Sequence, residues 1–469
     1  MLRRIPRALA LRYDVLALCA EANQLIVAVP DLDVGDVVDR IRLATGMQVQ
    51  LVQASRESIR AQLHRLYAGG IVDQLRLSRD NIDDAPAIRM LDRIYDDAVL
   101  AHASDLHFEP TSDGGRVRRR IDGILHEMLD LRPELFGQML SRIKLLAGMD
   151  IADKRQPQDG RYSLEAHGRA IDARVSSMPT ITGEKLVIRL LDHQTSIPSL
   201  EHLGMPARFL ESYRRIIHAP HGFVLVCGPT GSGKTTTLYA TLAERNVNSQ
   251  NLCTIEDPVE IRISGISQVQ VNSRAGLTFA SALRSFLRQD PNVIMVGEMR
   301  DAETANVAVA AALSGQLVVT TLHSSDACRT LDRLLELGVE RHSMSSGLTG
   351  ILAQRLIRKL CMDCRKVQAV PPDSACSFAL PAAATVYAAR GCAQCAGTGY
   401  RGRTGIFEFL VITDQLRDAI SEGASTAALG SLARTAGHAP MIVDGLEKVV
   451  AGITSLDELQ RVLGAIEIS

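Results

Sequence analysis

The feature that most constrains this chain is a glycine-rich octapeptide near its middle, Gly228-Pro229-Thr230-Gly231-Ser232-Gly233-Lys234-Thr235. It matches the pattern GxxxxGK(S/T) in full, follows the apolar segment Phe223–Cys227 and precedes a helical pattern that opens at Thr235. The glycines allow the backbone to curl so that its N–H groups face a phosphate, and the helix N-terminus adds the positive end of a dipole. This context predicts a phosphate-binding loop rather than an ordinary glycine-rich turn.

The residue types in this loop predict separate roles. Lys234 supplies a positive charge to the β- and γ-phosphate oxygens, and the Thr235 hydroxyl is suited to ligate Mg²⁺. The loop does not specify the nucleoside. The nucleotide-contacting residues are predicted to be Gly228, Pro229, Thr230, Gly231, Ser232, Gly233, Lys234, Thr235 and Thr236.

Short apolar segments alternate with helical patterns on both sides of the loop, as they do in a parallel α/β core. The predicted strands are Phe223–Cys227, Leu252–Ile255, Val293–Val296 and Leu317–Thr321. The predicted helices are Thr235–Arg245, Thr278–Arg288 and Ala302–Ser314.

Polar residues follow three of these strands. Glu298 comes after Val293–Val296 and is predicted to hold Mg²⁺ through water or to polarise the attacking water. Glu256 and Glu260 follow another strand, and which carboxylate holds the metal and which acts as base stays open. His323 is placed to sense a γ-phosphate, although an isolated histidine more often has a structural role.

The region before this core, residues 87–199, is predicted to be a mixed α/β lobe. Two segments with Gly114-Gly115 between them indicate a β-hairpin. Residues 170–176 and 185–190 alternate apolar and polar side chains, which places Arg174 and Arg189 on the polar face of a sheet. A solvated face is the usual fate of such arginines.

The ends of the chain are less informative. Residues 1–70 mix short helical and strand patterns and are interpreted as a small helical module, with predicted helices at Val34–Leu43 and Ser58–Tyr67. The acidic stretch 71–86 is taken as a linker, although an ordinary surface loop is equally compatible with it. Arg12 and Asp14 interrupt the early apolar run, so we expect a cytoplasmic chain and no signal peptide.

Four of the nine cysteines form two CxxC pairs, Cys361/Cys364 and Cys392/Cys395. Each pair makes a tight turn that can direct two sulfurs at one tetrahedral ion, which predicts a structural zinc site with four cysteine ligands. A redox CxxC is disfavoured because there are two pairs.

Composition excludes several classes. Lys plus Arg number 52 and Asp plus Glu number 53, and this balance argues against an obligate nucleic-acid partner. With 46% hydrophobic residues the chain can bury sizeable cores, and disorder as the dominant state is excluded. The longest apolar region is interrupted by polar residues, so no membrane span is expected.

Taken together, the motifs resemble the GspE/PulE-like secretion ATPases of type II secretion and type IV pilus assembly. The matching stretches extend from about residue 90 to the C-terminus. They are Ala103–Pro110, Gln158–Arg161, the phosphate loop, Ile255–Glu260, Arg288–Pro291, Gly297–Asp301, Thr321–His323 and Tyr400–Gly405.

The resemblance implies an α/β architecture with a PAS-like N-terminal lobe (87–199), a RecA-like ATPase core (200–360), a zinc module (361–405) and a C-terminal helical segment (406–469). It also implies ATP, Mg²⁺ and Zn²⁺ as cofactors and a ring of six subunits. The family's acidic box falls on Glu256–Glu260, its Walker B acid on Glu298 and its histidine box on Gln316–His323, where Gln316 replaces the usual first histidine. Its interfacial arginines fall on Arg174, Arg189, Arg284, Arg288, Arg300 and Arg333.

By the same resemblance, the short N-terminal extension favours a type II secretion ATPase. Such a protein docks onto the cytoplasmic domain of an inner-membrane partner and is peripheral to the inner membrane on its cytoplasmic side. A type IV pilus extension ATPase is the alternative, and a nucleic-acid translocase is a distant one, disfavoured by the balanced charge and few aromatic residues.

Overall fold

The computed structural model describes residues 85–192, 197–370 and 385–464 and, nearer the N-terminus, residues 5, 10, 13–21, 24–31, 37–56, 58 and 59. These residues fall into two compact units, a first that ends at Leu191 and a second that starts at Asp192, except that the short segments Asp122–Ile124 and Arg169–Ile171 group with the second unit. Within the described part of the chain, no helix has the length and apolarity needed to cross a bilayer.

The N-terminal module is α/β, which corrects the expectation of a helical module. It contains β1 (Leu16–Glu21), β2 (Gln24–Val29), α1 (Val37–Thr45) and β3 (Gln48–Gln53), and the strands form one sheet in the order β1-β2-β3. In β2, Leu25, Val27, Ala28 and Val29 are buried, so this strand lies in the core of the module. The first predicted helix is seen from Val37 onward. Most of the second one, and the predicted linker up to residue 84, lie outside the described residues.

The lobe that follows is a six-stranded sheet with two helices. Its elements are α2 (Ala85–Leu100), β4 (Ala103–Thr111), β5 (Gly114–Ile121), β6 (Ile124–Leu131), α3 (Pro133–Leu146), β7 (Gln158–Ala166), β8 (Arg169–Thr180) and β9 (Gly183–Asp192). The strands lie in the order β6-β5-β4-β9-β8-β7. The first helix starts at Ala85, so the last two residues of the predicted linker are helical.

The hairpin β4–β5 is present, but its turn is at residues 112–113 rather than at the two glycines. Thr111 pairs with Gly114 and Pro110 with Gly115, so both glycines belong to the strand. A Cβ at Gly115 would come within 2.1 Å of the ring of Phe136. The glycines therefore permit close packing and do not form the turn.

The alternation in β8 and β9 is as predicted. Ala173 and Val175 are buried in β8 and Leu186 and Ile188 in β9, while Arg189 is exposed on the other face. Arg174 is partly buried on that same face.

The second unit alternates helices and strands around the predicted parallel core. It contains α4 (Ala207–Ile217), β10 (Gly222–Cys227), α5 (Lys234–Arg245), β11 (Leu252–Glu256), β12 (Ser267–Gln270), α6 (Phe279–Phe286), β13 (Val293–Val296), α7 (Ala302–Leu313), β14 (Leu317–Leu322), α8 (Ala327–Glu336), α9 (Arg341–Gly347), β15 (Leu348–Leu360), β16 (Lys366–Ala369), β17 (Thr385–Ala388), β18 (Tyr400–Val411), α10 (Asp414–Glu422), α11 (Thr426–Thr435), α12 (Met441–Val450) and α13 (Leu456–Leu463).

The core sheet has seven strands in the order β12-β11-β13-β14-β10-β15-β18. All neighbours are parallel except β15 and β18, which are antiparallel. Alternate residues of β10 pack into two apolar clusters, with Leu225 on one face of the sheet and Val224 and Val226 on the other. Burial on both faces explains why these strands are almost continuously apolar.

The sequence did not indicate that β18 returns to this sheet after the cysteine module. Because β18 extends to Val411, the C-terminal helices begin at Asp414 and not at residue 406. Between β15 and β18, the strands β16 and β17 form an antiparallel pair beside the cysteines.

Candidate functional site

The predicted chemical groups meet at one edge of the core sheet. In the order β11-β13-β14-β10 the four strands are parallel neighbours, and Cys227 of β10 is in register with Leu322 of β14. The loop that starts at Gly228 and His323 therefore leave adjacent strands side by side, and Glu298 leaves the next strand, β13. The carboxyl edge of a parallel sheet is the usual place for a ligand site in α/β proteins.

The phosphate loop has the expected backbone. Gly231 and Gly233 have φ values of 77° and 88°, which side chains with a Cβ rarely adopt, and Gly233 is the N-cap of α5. Lys234 Nζ donates hydrogen bonds to the carbonyl oxygens of Gly228 and Pro229, at 2.8 and 2.9 Å. Burial lowers the pKa of Lys234. The ammonium thus lies inside the loop, where a phosphate could replace its carbonyl partners.

Glu298 is within an ion-pair group at the open edge. Arg300 forms ion pairs with Glu298 and, at 3.5 Å, with Asp257, and His323 Nε2 is 3.9 Å from a Glu298 carboxylate oxygen. The Arg300 and His323 side chains are more than half exposed. The structure therefore brings Glu298, His323 and the loop lysine together, and an incoming phosphate can reach them.

The ionisation of His323 depends on its neighbours. Burial lowers the pKa of His323. The positive charges of Lys234 and Arg300 lower that pKa further, whereas the negative charge of Glu298 raises it. Neutral imidazole is consequently favoured near pH 7.

Glu256 is in different surroundings from those expected of a metal ligand or base. Its side chain is buried, and both carboxylate oxygens accept internal hydrogen bonds: one from the Tyr239 hydroxyl, the other from Thr254 Oγ1 at 2.6 Å and Gln268 Nε2 at 3.1 Å. This network ties α5 to β11 and β12. The exposed acid at this strand end is the next residue, Asp257.

The remaining predicted residues are Glu260, four positions after the end of β11, Arg174 and Arg189 in the first unit, and Gln316. Glu260 is partly buried, and its backbone N–H donates to Tyr239 Oη at 3.1 Å. Arg189 pairs with Asp105 at 3.3 Å on the sheet of the first unit, the sheet that also carries Arg174. Gln316 comes just before β14, at the opposite edge of the core sheet from the loop. Catalytic roles for Glu260, Arg174 and Arg189 stay predictions.

The donors at the open edge fit a magnesium ion. The Thr235 side chain is exposed in the first turn of α5, and Glu298 supplies a carboxylate at the same edge. Hydroxyl and carboxylate oxygens are the ligands that Mg²⁺ prefers.

The two CxxC pairs form one cluster. The four sulfur atoms of Cys361, Cys364, Cys392 and Cys395 lie within 4.8 Å of one another. Three of the Sγ–Sγ distances are 3.8 Å. A tetrahedral zinc ion with Zn–S bonds of about 2.3 Å requires sulfur atoms about 3.8 Å apart. The sulfurs therefore fit a zinc ion held by four thiolates.

The backbone around Cys395 favours a thiolate. Burial alone would raise the pKa of Cys395. Hydrogen bonds to its sulfur from the backbone N–H groups of Cys392 and Gly399, each at 3.1 Å, and from the thiols of Cys392 and Cys364 outweigh this and lower the pKa to about 7.

Sequence reasoning missed one polar pair behind the loop. Gln354 and Arg355 lie in β15, within an otherwise apolar stretch, and Gln354 contacts the phosphate loop directly. The signal was present in the sequence, since a polar residue in the middle of a buried strand needs a partner.

A phosphate loop between a parallel strand and a helix, with an acid and a histidine leaving adjacent strands, defines the class of RecA-like P-loop ATPases. Within that class, the chain belongs to the family described as type II/IV secretion system protein, which matches residues 80–461. Residues 1–72 match the MshEN domain.

Relatives extend over nearly the whole chain. It is 41% identical to the "Type II secretion system protein E" of Pseudomonas aeruginosa, over 98% of this chain and 96% of that one. It is 40% identical to the "Type IV pilus assembly ATPase PilB" of Myxococcus xanthus, over 98% and 86% of the two chains. Among solved structures, the pilus retraction motor PilT with bound ADP superposes with a TM-score of 0.53 at 27% identity, covering 79% of this chain and 96% of that chain.

Proposed function

We propose that this chain is the cytoplasmic ATPase motor of a type II secretion system, which hydrolyses ATP in a hexameric ring to drive pseudopilus assembly and protein export. One observation carries the proposal: Lys234, Glu298 and His323 leave adjacent strands at one open edge. The 41% identity over 98% of the chain to a type II secretion protein supports the secretion context.

The residues divide the work of phosphoryl transfer. Lys234 exchanges its two carbonyl partners for β- and γ-phosphate oxygens, and the loop N–H groups hold the same phosphates. Glu298 orients or polarises the attacking water, for which a carboxylate at the strand end is suitably placed. Bound Mg²⁺ supplies charge neutralisation on the phosphates, and Thr235 and Glu298 would hold it.

The ion pair with Arg300 limits the ability of Glu298 to act as a base. In this structure the guanidinium is paired with the Glu298 carboxylate and also faces Asp257. We infer that Arg300 must share or release Glu298 when the nucleotide arrives, because a carboxylate fully occupied by a guanidinium is a poor base.

Arg174 and Arg189 are proposed to act on the γ-phosphate of their own or a neighbouring subunit. A guanidinium delivered to the transferring phosphate stabilises transition-state charge.

The proposed partner is the cytoplasmic domain of an inner-membrane secretion protein, contacted through residues 1–70. Association with the membrane is then peripheral and through this partner.

The first test measures phosphate release by the purified chain with ATP and Mg²⁺, with and without DNA. A motor for secretion should hydrolyse ATP at a rate that DNA leaves unchanged, and Glu298→Gln should bind ATP yet lose hydrolysis. Hydrolysis by Glu298→Gln at the wild-type rate would refute the role of Glu298. Strong stimulation by DNA would favour a translocase.

A type IV pilus assembly ATPase is the second candidate, and the 40% identity to such a protein over 98% of the chain favours it. Deletion of the gene in its own host separates the two. Loss of exported proteins with pili intact supports secretion, whereas loss of pili with export intact supports pilus assembly.

A further inference from the structure

The strand β15 lies directly behind the phosphate loop, as the neighbour of β10 on the side away from β14. It carries Gln354, whose side chain is only 2% exposed. Burying an amide is costly unless its donor and acceptor are both satisfied. Its partners therefore show which groups this residue holds in place.

Both ends of the Gln354 amide bind the nucleotide-site elements. Nε2 donates to the carbonyl oxygen of Ser232 in the phosphate loop, at 2.8 Å. Oε1 accepts from Thr237 Oγ1, in the first turns of α5, also at 2.8 Å. One side chain thus fixes the loop and the helix that follows it.

The backbone of the loop also approaches this strand closely. A Cβ on Gly228 would come within 2.5 Å of the Gln354 carbonyl oxygen, and one on Gly233 would lie 3.2 Å from Gln354 Nε2. Two of the positions in the motif therefore need glycine for a second reason, which is the close approach of their backbone to β15.

The next residue, Arg355, reaches the other loop of the site. Successive residues of a strand point to opposite faces of a sheet. Arg355 donates to the carbonyl oxygen of Ser325 at 2.8 Å, in the loop that follows His323. The dipeptide thus contacts the Lys234 loop from one face of the sheet and the His323 loop from the other.

We propose that Gln354 and Arg355 are positioning residues that set the nucleotide-binding loop and the His323 loop in one mutual geometry. The proposal deepens the ATPase function above and rests on it. Gln354 shapes the loop N–H groups for phosphate, so its loss weakens nucleotide affinity. Arg355 holds the histidine loop, so its loss lowers turnover more than affinity.

The chain provides a matched control. Thr349 lies on the same strand and donates from Oγ1 to the carbonyl oxygen of Phe223 in β10, at 3.0 Å, at the end of β15 away from the loop. Thr349→Val removes one strand-to-strand hydrogen bond without touching the site. Gln354→Met removes the amide while keeping a similar side-chain length.

The experiment compares ADP affinity by calorimetry, kcat and KM for ATP, and Tm in the wild type and the variants Gln354→Met, Arg355→Met and Thr349→Val. Gln354→Met should weaken ADP binding about tenfold, the equivalent of one hydrogen bond. Thr349→Val should lower Tm and leave ADP affinity within about twofold of the wild type. Arg355→Met should lower kcat more than it raises KM.

Equal losses of affinity in Gln354→Met and Thr349→Val would overturn the proposal, because the effect would then follow general destabilisation. Unchanged affinity in Gln354→Met would overturn it as well. If the wild type itself binds no ADP, the proposed ATPase function fails first. Thr237 provides a second check: Thr237→Val should weaken ADP binding and Thr237→Ser, which keeps the hydroxyl, should restore it.

Discussion

The phosphate-loop site and the cysteine cluster lie in the same unit but differ in their access to solvent. At the loop, the side chains of Arg300 and His323 are more than half exposed. In the cluster, Cys361 and Cys395 are 1% and 6% exposed, and Cys364 and Cys392 are partly buried. A site that turns over a ligand must stay open, whereas a structural metal site closes its coordination shell with protein atoms.

The two sites also differ in the groups that surround their ionisable atoms. Lys234 is held by neutral carbonyl oxygens that an anion can displace. The sulfur of Cys395 accepts hydrogen bonds from two backbone N–H groups. Damage to the first site should therefore affect the rate of turnover, and damage to the second should affect stability.

The largest expected effect is in the open site. Lys234→Ala should lower ATP turnover by about 100-fold or more, since phosphate loses its main charge partner. The fold should persist, and circular dichroism and Tm should match the wild type. A Tm loss as large as that of a zinc-ligand variant would break the distinction between the two sites.

The next effect concerns the closed site. Purified protein should contain about one zinc per chain. Cys361→Ser and Cys392→Ser should lose the metal and more than about 2 kcal/mol of unfolding free energy. Residual ATP turnover at low temperature should remain closer to the wild type than in Lys234→Ala. Elemental analysis that finds no zinc in protein purified without chelator would refute the metal site.

A smaller effect tests whether the open site is complete within its own chain. Arg174→Ala and Arg189→Ala should each lower kcat about tenfold or more while ADP binding falls less, because a guanidinium acts mainly on transition-state charge. If a neighbouring subunit delivers the arginine, mixing Arg189→Ala chains with Lys234→Ala chains should restore part of the activity. Wild-type kinetics in a stable monomer of either variant would contradict this.

The smallest effect involves a buried pair that belongs to neither site. His438 Nε2 lies 3.2 Å from Glu408, which also accepts the N–H of Ala327 at the start of α8. Burial lowers the pKa of His438, but the hydrogen bond and charge of Glu408 outweigh this and raise it. The resulting stability is fully present below the unfolded-state pKa of about 6.5 and is lost as pH rises through the folded-state pKa.

His438→Gln should therefore flatten the decline of unfolding free energy between about pH 6 and pH 8, by about 1 kcal/mol or less. Chemical denaturation at several pH values measures this. Zinc content and turnover should not change, so the variant serves as a control for both sites. An identical pH slope in variant and wild type would exclude the pair as its source.

The strands and sites that were predictable from the sequence are those with a local signal. Val293–Val296 was predicted to the residue because burial on both faces leaves a continuous apolar run. The phosphate loop and the CxxC turns were predictable for a similar reason, because each is formed by residues that are adjacent in the sequence. The pairing of β18 with β15 in the core sheet was not predictable, since nothing in the sequence of Tyr400–Val411 indicates which strand it pairs with.

The surroundings of a site residue were not predictable where they depend on packing, and the catalytic role of Glu256 stays a prediction. Glu256 resembled a free strand-end acid, but Tyr239, Thr254 and Gln268 close around it. Gln354 had no recognisable motif, because its function comes from the loop that a neighbouring strand brings against it. Contacts of this kind require the register of the sheet, which sequence spacing does not fix.

The hydrogen bonds of the Gln354 side chain are uncharged. They should therefore respond to ionic strength differently from the charged pair of Arg300 and Glu298. The pair of exposed Arg300 and partly buried Glu298 weakens as salt rises, since the Debye length is about 8 Å at 0.15 M and shorter above it. The hydrogen bonds of Gln354 to Ser232 and Thr237 join neutral groups and are screened little. In concentrated salt the loop should therefore keep its shape while Arg300 releases Glu298.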